Sequence, residues 1–201
     1  MSELWAFMQL GFTHIVSWDA ADHVLFLLVL AAIYRGRDWR AALWVISAFT
    51  VGHSVTLALA VTHVLVLPSA LVEFLIPVTI VATGIENLVL RDRAAAGPQA
   101  RHRPVFAGVF GLVHGAGFAG YLQSLFVDQI TVPLFGFNLG IEAGQVVVLA
   151  FAAVLFGLFD ELLRKVPARG WMRDAYQTRL IVVSGVVVAV ASGWAVQRMP
   201  R

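Results

Sequence analysis

The segment HIVSWDAADHVLF carries four side chains that can exchange protons or bind a cation. Asp19, Asp22 and His23 are spaced i, i+3 and i+4, so a helix would present all three on one face. His14 lies nine residues before His23 and reaches the same face if the chain turns near Ser17. Asp19 can equally be the N-cap of this helix. We therefore expect Asp22 and His23 to be functional, and Asp19 to be either a cap or a ligand.

Three later apolar segments carry residues of the same chemistry. FTVGHSVTL contains His53 followed by Ser54, and FGLVHGAGFAG contains His114. A single histidine among apolar residues can be explained by a hydrogen bond to a neighbouring helix, so the set is more informative than any member. The third segment, FNLGIEAGQ, presents one helical stripe at i, i+4 and i+7, formed by Asn138, Glu142 and Gln145.

The composition places these residues in a membrane protein. Hydrophobic residues make up 60% of the chain, charged residues make up 13%, and the mean hydropathy is +0.84. A soluble domain of this composition would expose large apolar patches and aggregate. A helical span needs about 20 apolar residues. The sequence predicts an all-α bundle, one domain over residues 1–201, with about six spans. The predicted spans are 19–34, 41–65, 69–90, 105–125, 135–159 and 180–196.

The first predicted span is short for a bilayer crossing. Its missing length can come from the residues before Trp18. Alternatively, the Trp5–Phe12 stretch is an interfacial or re-entrant segment. The opening residues lack the basic region of a secretory signal, so we expect the N-terminus to be retained.

The distribution of arginine and lysine predicts the orientation of the bundle. Basic residues cluster between the first and second, third and fourth, and fifth and sixth spans, whereas the connections 63–68 and 126–134 carry none. By the positive-inside rule the basic loops are cytoplasmic and the N-terminus is outside. The expected location is the inner (plasma) membrane. The formal charge of +2 thus reflects topology, and nucleic acid is not an expected partner.

Ionisable groups at mid-membrane depth cost several kcal/mol each, so each one needs an explanation, and for the set together a common function is favoured. Counted from Arg40 at about 1.5 Å per residue, His53 lies roughly 20 Å above the inner boundary. Imidazoles and carboxylates bind Ni, Co, Zn, Mn or Fe, and a chain without cysteine disfavours Cu(I). The expected metal ligands are His14, Asp19, Asp22, His23, His53, His114 and Glu142. The expected supporting residues are Asn138, Gln145, Ser54, Glu86 and Asn87.

Glu86 and Asn87 form a second polar group at the cytoplasmic end of the third span. Glu86 is either an interfacial acid paired with Arg91 or Arg93, or an exit station for the ion. Glycines recur beside Glu142 and around His114, which favours close helix contacts. The pattern F-x-x-x-H occurs at Phe49–His53 and again at Phe110–His114, and Gly-Ile-Glu also occurs twice, a short internal echo of the kind found in transporters with duplicated halves.

These segments resemble the HupE/UreJ family of hydrogenase and urease accessory membrane proteins. The matching stretches are HIVSWDAADHVLFLL, FTVGHSVTLAL, GIENLVL, FGLVHGAGFAGYL and FNLGIEAGQ, in the order of the family. The resemblance implies a permease-like protein that supplies nickel or cobalt to metalloenzymes, with the first-helix motif at His14, Asp22 and His23. The chain departs from the compact H-P-x-x-G-x-D-H of hydrogenase-linked members, because Ile15 follows His14.

The sequence is compatible with several functions. The first is uptake of a divalent metal ion, with nickel foremost and cobalt or zinc as alternatives. The sequence has no Gly-rich nucleotide-binding loop, so the membrane potential, protons or an intracellular sink would drive transport. The second is a membrane-embedded zinc hydrolase that uses the histidines and Ser54. Haem ligation by His53 and His114, a structural or partner-binding role, and a homo-oligomer stay open.

Overall fold

Seven α-helices make up most of the described part of the chain, which in this computed structural model comprises residues 2–17, 20–90, 102–123, 130–165 and 174–200. A short 3-10 turn, Gly36–Asp38, leads into the third helix. The all-α prediction is confirmed for these residues. The helices are α1 (Glu3–Val16), α2 (Ala21–Ile33), α3 (Trp39–Val61), α4 (Ser69–Val89), α5 (His102–Gln123), α6 (Thr131–Arg164) and α7 (Ala175–Gln197).

Four helices in the described ranges are long and apolar enough to cross a membrane, namely α3, α4, α6 and α7. Helices α1 and α2 meet the same criterion only together, as one span bent by 69°. The chain is therefore a multi-pass membrane protein with four or five candidate spans. The predicted count of six is not confirmed, because α5 is outside this set.

Several helix boundaries differ from the predicted spans. The Trp5–Phe12 stretch lies in a helix of its own, α1, instead of extending the first span as a straight helix. Helix α6 continues to Arg164, beyond the apolar segment. Just before its last turn, Asp160 forms an ion pair with Arg179 of α7 at 2.8 Å. Helix α3 ends at Val61, and His63 just beyond it has a positive φ of 58°.

Glycines allow two pairs of helices to pack backbone against backbone. A Cβ atom at Gly111 of α5 would overlap the carbonyl oxygen of Phe49 on α3, and one at Gly115 would overlap that of His53. In the same way, a Cβ at Gly140 of α6 would overlap the carbonyl of Met8 on α1. Small residues therefore bring α3 against α5 and α1 against α6, as the glycine spacing predicts.

The same contacts give the relative directions of the helices. Gly111 and Gly115 meet Phe49 and His53 in ascending order, so α3 and α5 are parallel. Gly136 and Gly140 meet Leu4 and Met8, so α1 and α6 are parallel. Gly84 contacts Val188 while Asn87 contacts Ser184, so α4 and α7 are antiparallel.

The substitution Gly111→Ala tests the close packing of α3 and α5. The added methyl group must displace the α3 backbone, so we expect a loss of about 1–3 kcal/mol in stability, the usual cost of overpacking. The measurement is the melting temperature of the purified protein in detergent. Gly185→Ala is the matched control, since a Cβ there meets nothing within 4 Å. Equal melting temperatures for the two variants would contradict this packing.

Candidate metal centre

Three histidines from three helices meet in the interior of the bundle. His14 of α1, His23 of α2 and His53 of α3 each offer a ring nitrogen, and these three nitrogens lie within 4.8 Å of one another. The bend between α1 and α2 brings the rings of His14 and His23 to a centroid distance of 4.8 Å. The side chain of His53 is completely buried, and His23 is 5% exposed. The expected ligand Asp19 lies outside the described residues.

Asp22 orients His23. Its Oδ1 atom accepts the backbone N–H of His23 at 2.8 Å and lies 3.0 Å from the ring atom Nδ1. A carboxylate can only accept here, so Nδ1 carries the hydrogen and Nε2 carries the free lone pair. Asp22 therefore fixes the tautomer of His23 in the manner of a carboxylate that supports a metal-binding histidine.

Four further ring nitrogens of the three-histidine group are buried without hydrogen-bond partners in the described part of the chain. They are Nε2 of His14, Nε2 of His23 and both ring nitrogens of His53. Leaving one buried polar group unsatisfied costs about 1–3 kcal/mol. A cation among these nitrogens would remove several such costs at once. The donor set therefore fits a divalent transition metal.

His114 of α5 lies beside this group but has a different environment. Its Nε2 atom is 3.0 Å from the hydroxyl of Thr79, which donates its hydrogen to the carbonyl of Ile76 at 2.7 Å. The hydroxyl must therefore accept from Nε2–H, and the buried Nδ1 atom keeps its lone pair. The ring lies 5.2 Å from that of His23, centroid to centroid. His114 is thus a neighbour of the three-histidine group without belonging to it.

Phenylalanines pack against the three-histidine group on the side that faces the Arg35 end of the bundle, where α2 ends and α3 begins. Phe26 follows His23 by one turn, and its ring stacks on that of Phe49 at 4.8 Å. Phe110 lies 6.5 Å from Phe26. Phe26 and Phe49 are each 1% exposed. We call Phe26, Phe49 and Phe110 the inner aromatic layer; it separates the histidines from that end of the bundle.

A second pair of rings lies on the opposite side of the histidines. Phe118 of α5 and Phe137 of α6 stack with an interplanar angle of 5° and a centroid distance of 5.3 Å. The ring of His14 lies 3.9 Å from Phe118 and 5.7 Å from Phe137. We call this pair the outer aromatic layer. The histidines are therefore enclosed between two aromatic layers.

Glu142, an expected ligand, is placed apart from the three-histidine group. Its carboxylate accepts a hydrogen bond from Ser47 of α3 at 2.8 Å. Ser47 precedes His53 by six residues, which is about 9 Å along a helix. Gln145 accepts a hydrogen bond from the Thr50 hydroxyl at 2.9 Å. Glu142 and Gln145 therefore join α6 to α3 at residues that precede His53 on α3. Asn138 Oδ1 is buried without a partner among the described residues.

Ser54, considered as a member of a hydrolase site, donates its hydroxyl to the carbonyl of Thr50 at 2.6 Å. Its hydrogen is therefore used by its own helix. This is a common arrangement for serine inside a membrane helix.

Glu86 and Asn87 belong to a separate polar group at the Arg35 end of the bundle. Glu86 lies 2.6 Å from His102 Nε2 and 3.2 Å from Arg103, which is buried. Asn87 donates to the carbonyl of Val29 at 2.6 Å. This group joins α4 to α5 and α2. The predicted partners Arg91 and Arg93 lie outside the described residues.

Sequence reasoning missed the partners that position the histidines. Thr79 and the outer aromatic layer carry no recognisable motif. The inner aromatic layer did leave a signal, since F-x-x-x-H occurs on both α3 and α5. That pattern places a phenylalanine one helical turn before each histidine. In the sequence alone, however, it indicates only a short internal repeat.

Comparison with known proteins gives one family. Neither a curated protein nor a solved structure matches the chain significantly. The sequence profile described as HupE / UreJ protein matches residues 1–198. The match covers nearly the whole chain, so the resemblance seen in the five sequence stretches is confirmed. The chain belongs to the HupE/UreJ family.

Proposed function

We propose that this protein carries a divalent transition-metal ion, in the first place nickel, into the cell through the three-histidine group. The observation that supports this most directly is the set of buried, unpartnered imidazole nitrogens of His14, His23 and His53, within 4.8 Å of one another. Nickel follows from the family, whose accessory members are linked to hydrogenase and urease. Cobalt and zinc have compatible ligand chemistry.

The ligand set suits a transported ion better than a resident one. Imidazoles select against Mg²⁺ and Ca²⁺, which prefer oxygen ligands. The three histidines are uncharged when they bind metal, and Asp22 supplies one nearby carboxylate. A doubly charged ion is thus only partly compensated. Partial compensation allows the ion to enter and also to leave, as transport requires.

We infer six crossings with the N-terminus outside. The parallel and antiparallel contacts agree with this order if α5 also crosses and if α1 with α2 makes one broken crossing. The positive-inside rule then places the basic connections in the cytoplasm. The proposed location is the inner (plasma) membrane. In this orientation the inner aromatic layer faces the cytoplasm and the outer layer faces outward.

The proposed path runs from the outer aromatic layer through the histidines to the inner layer. His14, His23 and His53 are the primary ligands, and Asp22 holds His23 in place. His114 is a further ligand once its free Nδ1 turns toward the ion. Glu142, with Gln145 one turn further along α6, is the next polar station inward, and Glu86 with Asn87 lies closest to the cytoplasm. Asn138, next to Phe137 of the outer aromatic layer, and Ser54, next to His53, are proposed as supporting residues at the level of the histidines or outward of them. Asp19 keeps its two proposed roles, cap or ligand.

Transport of this kind requires that the layers open in turn. With both layers closed the ion is held away from water, which corresponds to the occluded state of an alternating-access cycle. Membrane potential, protons or an intracellular sink would drive net uptake. The hydrolase alternative has less support, because the Ser54 hydroxyl is used by its own helix and aromatic rings lie on both sides of the histidines.

His23→Ala tests the assignment of the metal site. The ring of His23 lies next to those of His14, His53 and His114, so its removal should abolish nickel binding by the purified protein and nickel accumulation in cells. Binding is measured by calorimetry and metal analysis. His63→Ala is the control, because His63 lies in the exposed connection after α3. The proposal fails if the His23→Ala protein, folded in the membrane, still binds and accumulates nickel as the His63→Ala protein does.

Asp22→Asn tests the positioning of His23. The amide cannot hold Nδ1–H with a full negative charge, so we expect nickel affinity to fall about 10–100-fold. The melting temperature of the ion-free protein should change little. Asp174→Asn is a control for loss of a carboxylate remote from the site. Unchanged affinity in Asp22→Asn would show that Asp22 does not support a metal ligand.

Phe49→Leu tests the inner aromatic layer. The smaller side chain leaves the three-histidine group intact but loosens the stack with Phe26, so nickel binding should persist while nickel flux into proteoliposomes rises severalfold. Phe151→Leu is the matched control, because it makes the same change at a phenylalanine of α6 that is 64% exposed and is not part of either aromatic layer. Equal flux in the two variants would exclude this layer as a barrier.

A further inference from the structure

A cavity of about 890 Å³ lies between α2, α3, α6 and α7, away from the histidines. It is located where α2 ends, α3 begins, α6 ends and α7 begins, which is the end of the bundle with the arginine-rich connections. Pockets that bind small molecules usually measure about 300–1,000 Å³. The cavity is therefore large enough to hold most of a bulky ligand or a large portion of a lipid.

One side of the cavity is an apolar groove. Ala150, Ala153 and Gly157 lie at i, i+3 and i+7 on α6, and Ala42 lines the facing surface of α3. Because these residues are small, the side chains of the described residues leave the groove unfilled. A Cβ atom at Gly157 would meet nothing within 4 Å. Neighbouring α6 residues such as Phe151 and Val154 are more than half exposed, so the groove borders the surface that faces lipid.

The other side of the cavity is cationic. Its lining has three guanidinium groups, Arg35, Arg164 and Arg179, against two carboxylates, Asp160 and Asp174. Both carboxylates are engaged. Asp160 is paired with Arg179 at 2.8 Å, and Asp174 accepts the backbone N–H of Tyr176 at 3.0 Å. Arg164 also lies 3.1 Å from the exposed Glu161. Arg35 lies over the ring of Tyr176 at 4.2 Å, which holds its charge at the rim.

We propose that this cavity binds an anionic phospholipid of the adjacent leaflet. One acyl chain occupies the groove along Ala150, Ala153 and Gly157, and the phosphate lies near Arg35 and Arg164. Basic pockets between transmembrane helices on the cytoplasmic side are suited to anionic head groups. The same lining opposes the other occupants. Its two carboxylates are already engaged, Asp160 by Arg179 and Asp174 by the backbone of Tyr176, so they are not free to bind a divalent cation. The apolar groove gives a free inorganic anion nothing to contact.

The first experiment measures the melting temperature of delipidated protein in non-ionic detergent. Phosphatidylglycerol should raise the melting temperature, whereas phosphatidylcholine with the same acyl chains should raise it far less. In a third measurement, inorganic phosphate replaces the lipid and should raise the melting temperature less than phosphatidylglycerol does. An equal effect of the two lipids would overturn the proposal. So would an effect of phosphate as large as that of phosphatidylglycerol, since it would indicate a simple anion site.

Variants then place the lipid in this cavity. Gly157→Leu fills the groove and should remove the effect of phosphatidylglycerol, while Gly185→Leu on α7 should preserve it, because Gly185 has equally open space but does not line the cavity. The double variant Arg35→Gln/Arg164→Gln should lose the preference for the anionic lipid. An unchanged response in Gly157→Leu, or an equal loss in Gly185→Leu, would overturn the assignment. Nickel binding should be the same in all these variants.

Discussion

The dominant constraint on this bundle is the cost of burying imidazole nitrogens away from water. Two of them have side-chain partners, Asp22 for His23 and Thr79 for His114, and each partner leaves the opposite nitrogen with a free lone pair. The other buried nitrogens have no partner in the described ranges. Such a centre is costly alone and favourable around a cation. The proposed function therefore follows from the same energetics that would otherwise oppose the fold.

The histidines can meet because small residues remove the space between helices. Backbone contacts join α3 to α5 through Gly111 and Gly115, and α1 to α6 through Gly140. The first pair carries His53 and the second carries His14, while His23 comes from α2 and its ring lies next to both of these histidines. Contacts of backbone against backbone resist internal deformation. Any movement that opens the site is therefore expected between the two pairs, with each pair moving as a unit.

Much of this arrangement was accessible from sequence, because hydropathy predicts helices and the cost of buried ionisable groups marks the histidines. Rotation of each helix about its axis was not accessible. After Asp22 and His23, helix α2 is apolar on every side, so its pattern does not say which face meets which neighbour. The depth of each side chain was also known only approximately. The sequence grouped Glu142 with the histidines, whereas the structure pairs it with Ser47, about 9 Å along α3 from His53. The polar end of α6 was missed because its partner, Arg179, is distant in sequence.

The two aromatic layers connect the site to the movement of the helix pairs. The outer layer joins Phe118 of α5 to Phe137 of α6, so it bridges the two pairs directly. The inner layer joins Phe49 of α3 to Phe26 of α2. Separation of the pairs would open the outer layer, whereas the inner layer would open only if α2 moved away from the α3–α5 pair. A ring stack is apolar and contributes only about 0.5–1.5 kcal/mol beyond its buried area. Most of the cost of opening a layer is therefore the exposure of its buried rings, about 1.5–3 kcal/mol for each phenylalanine.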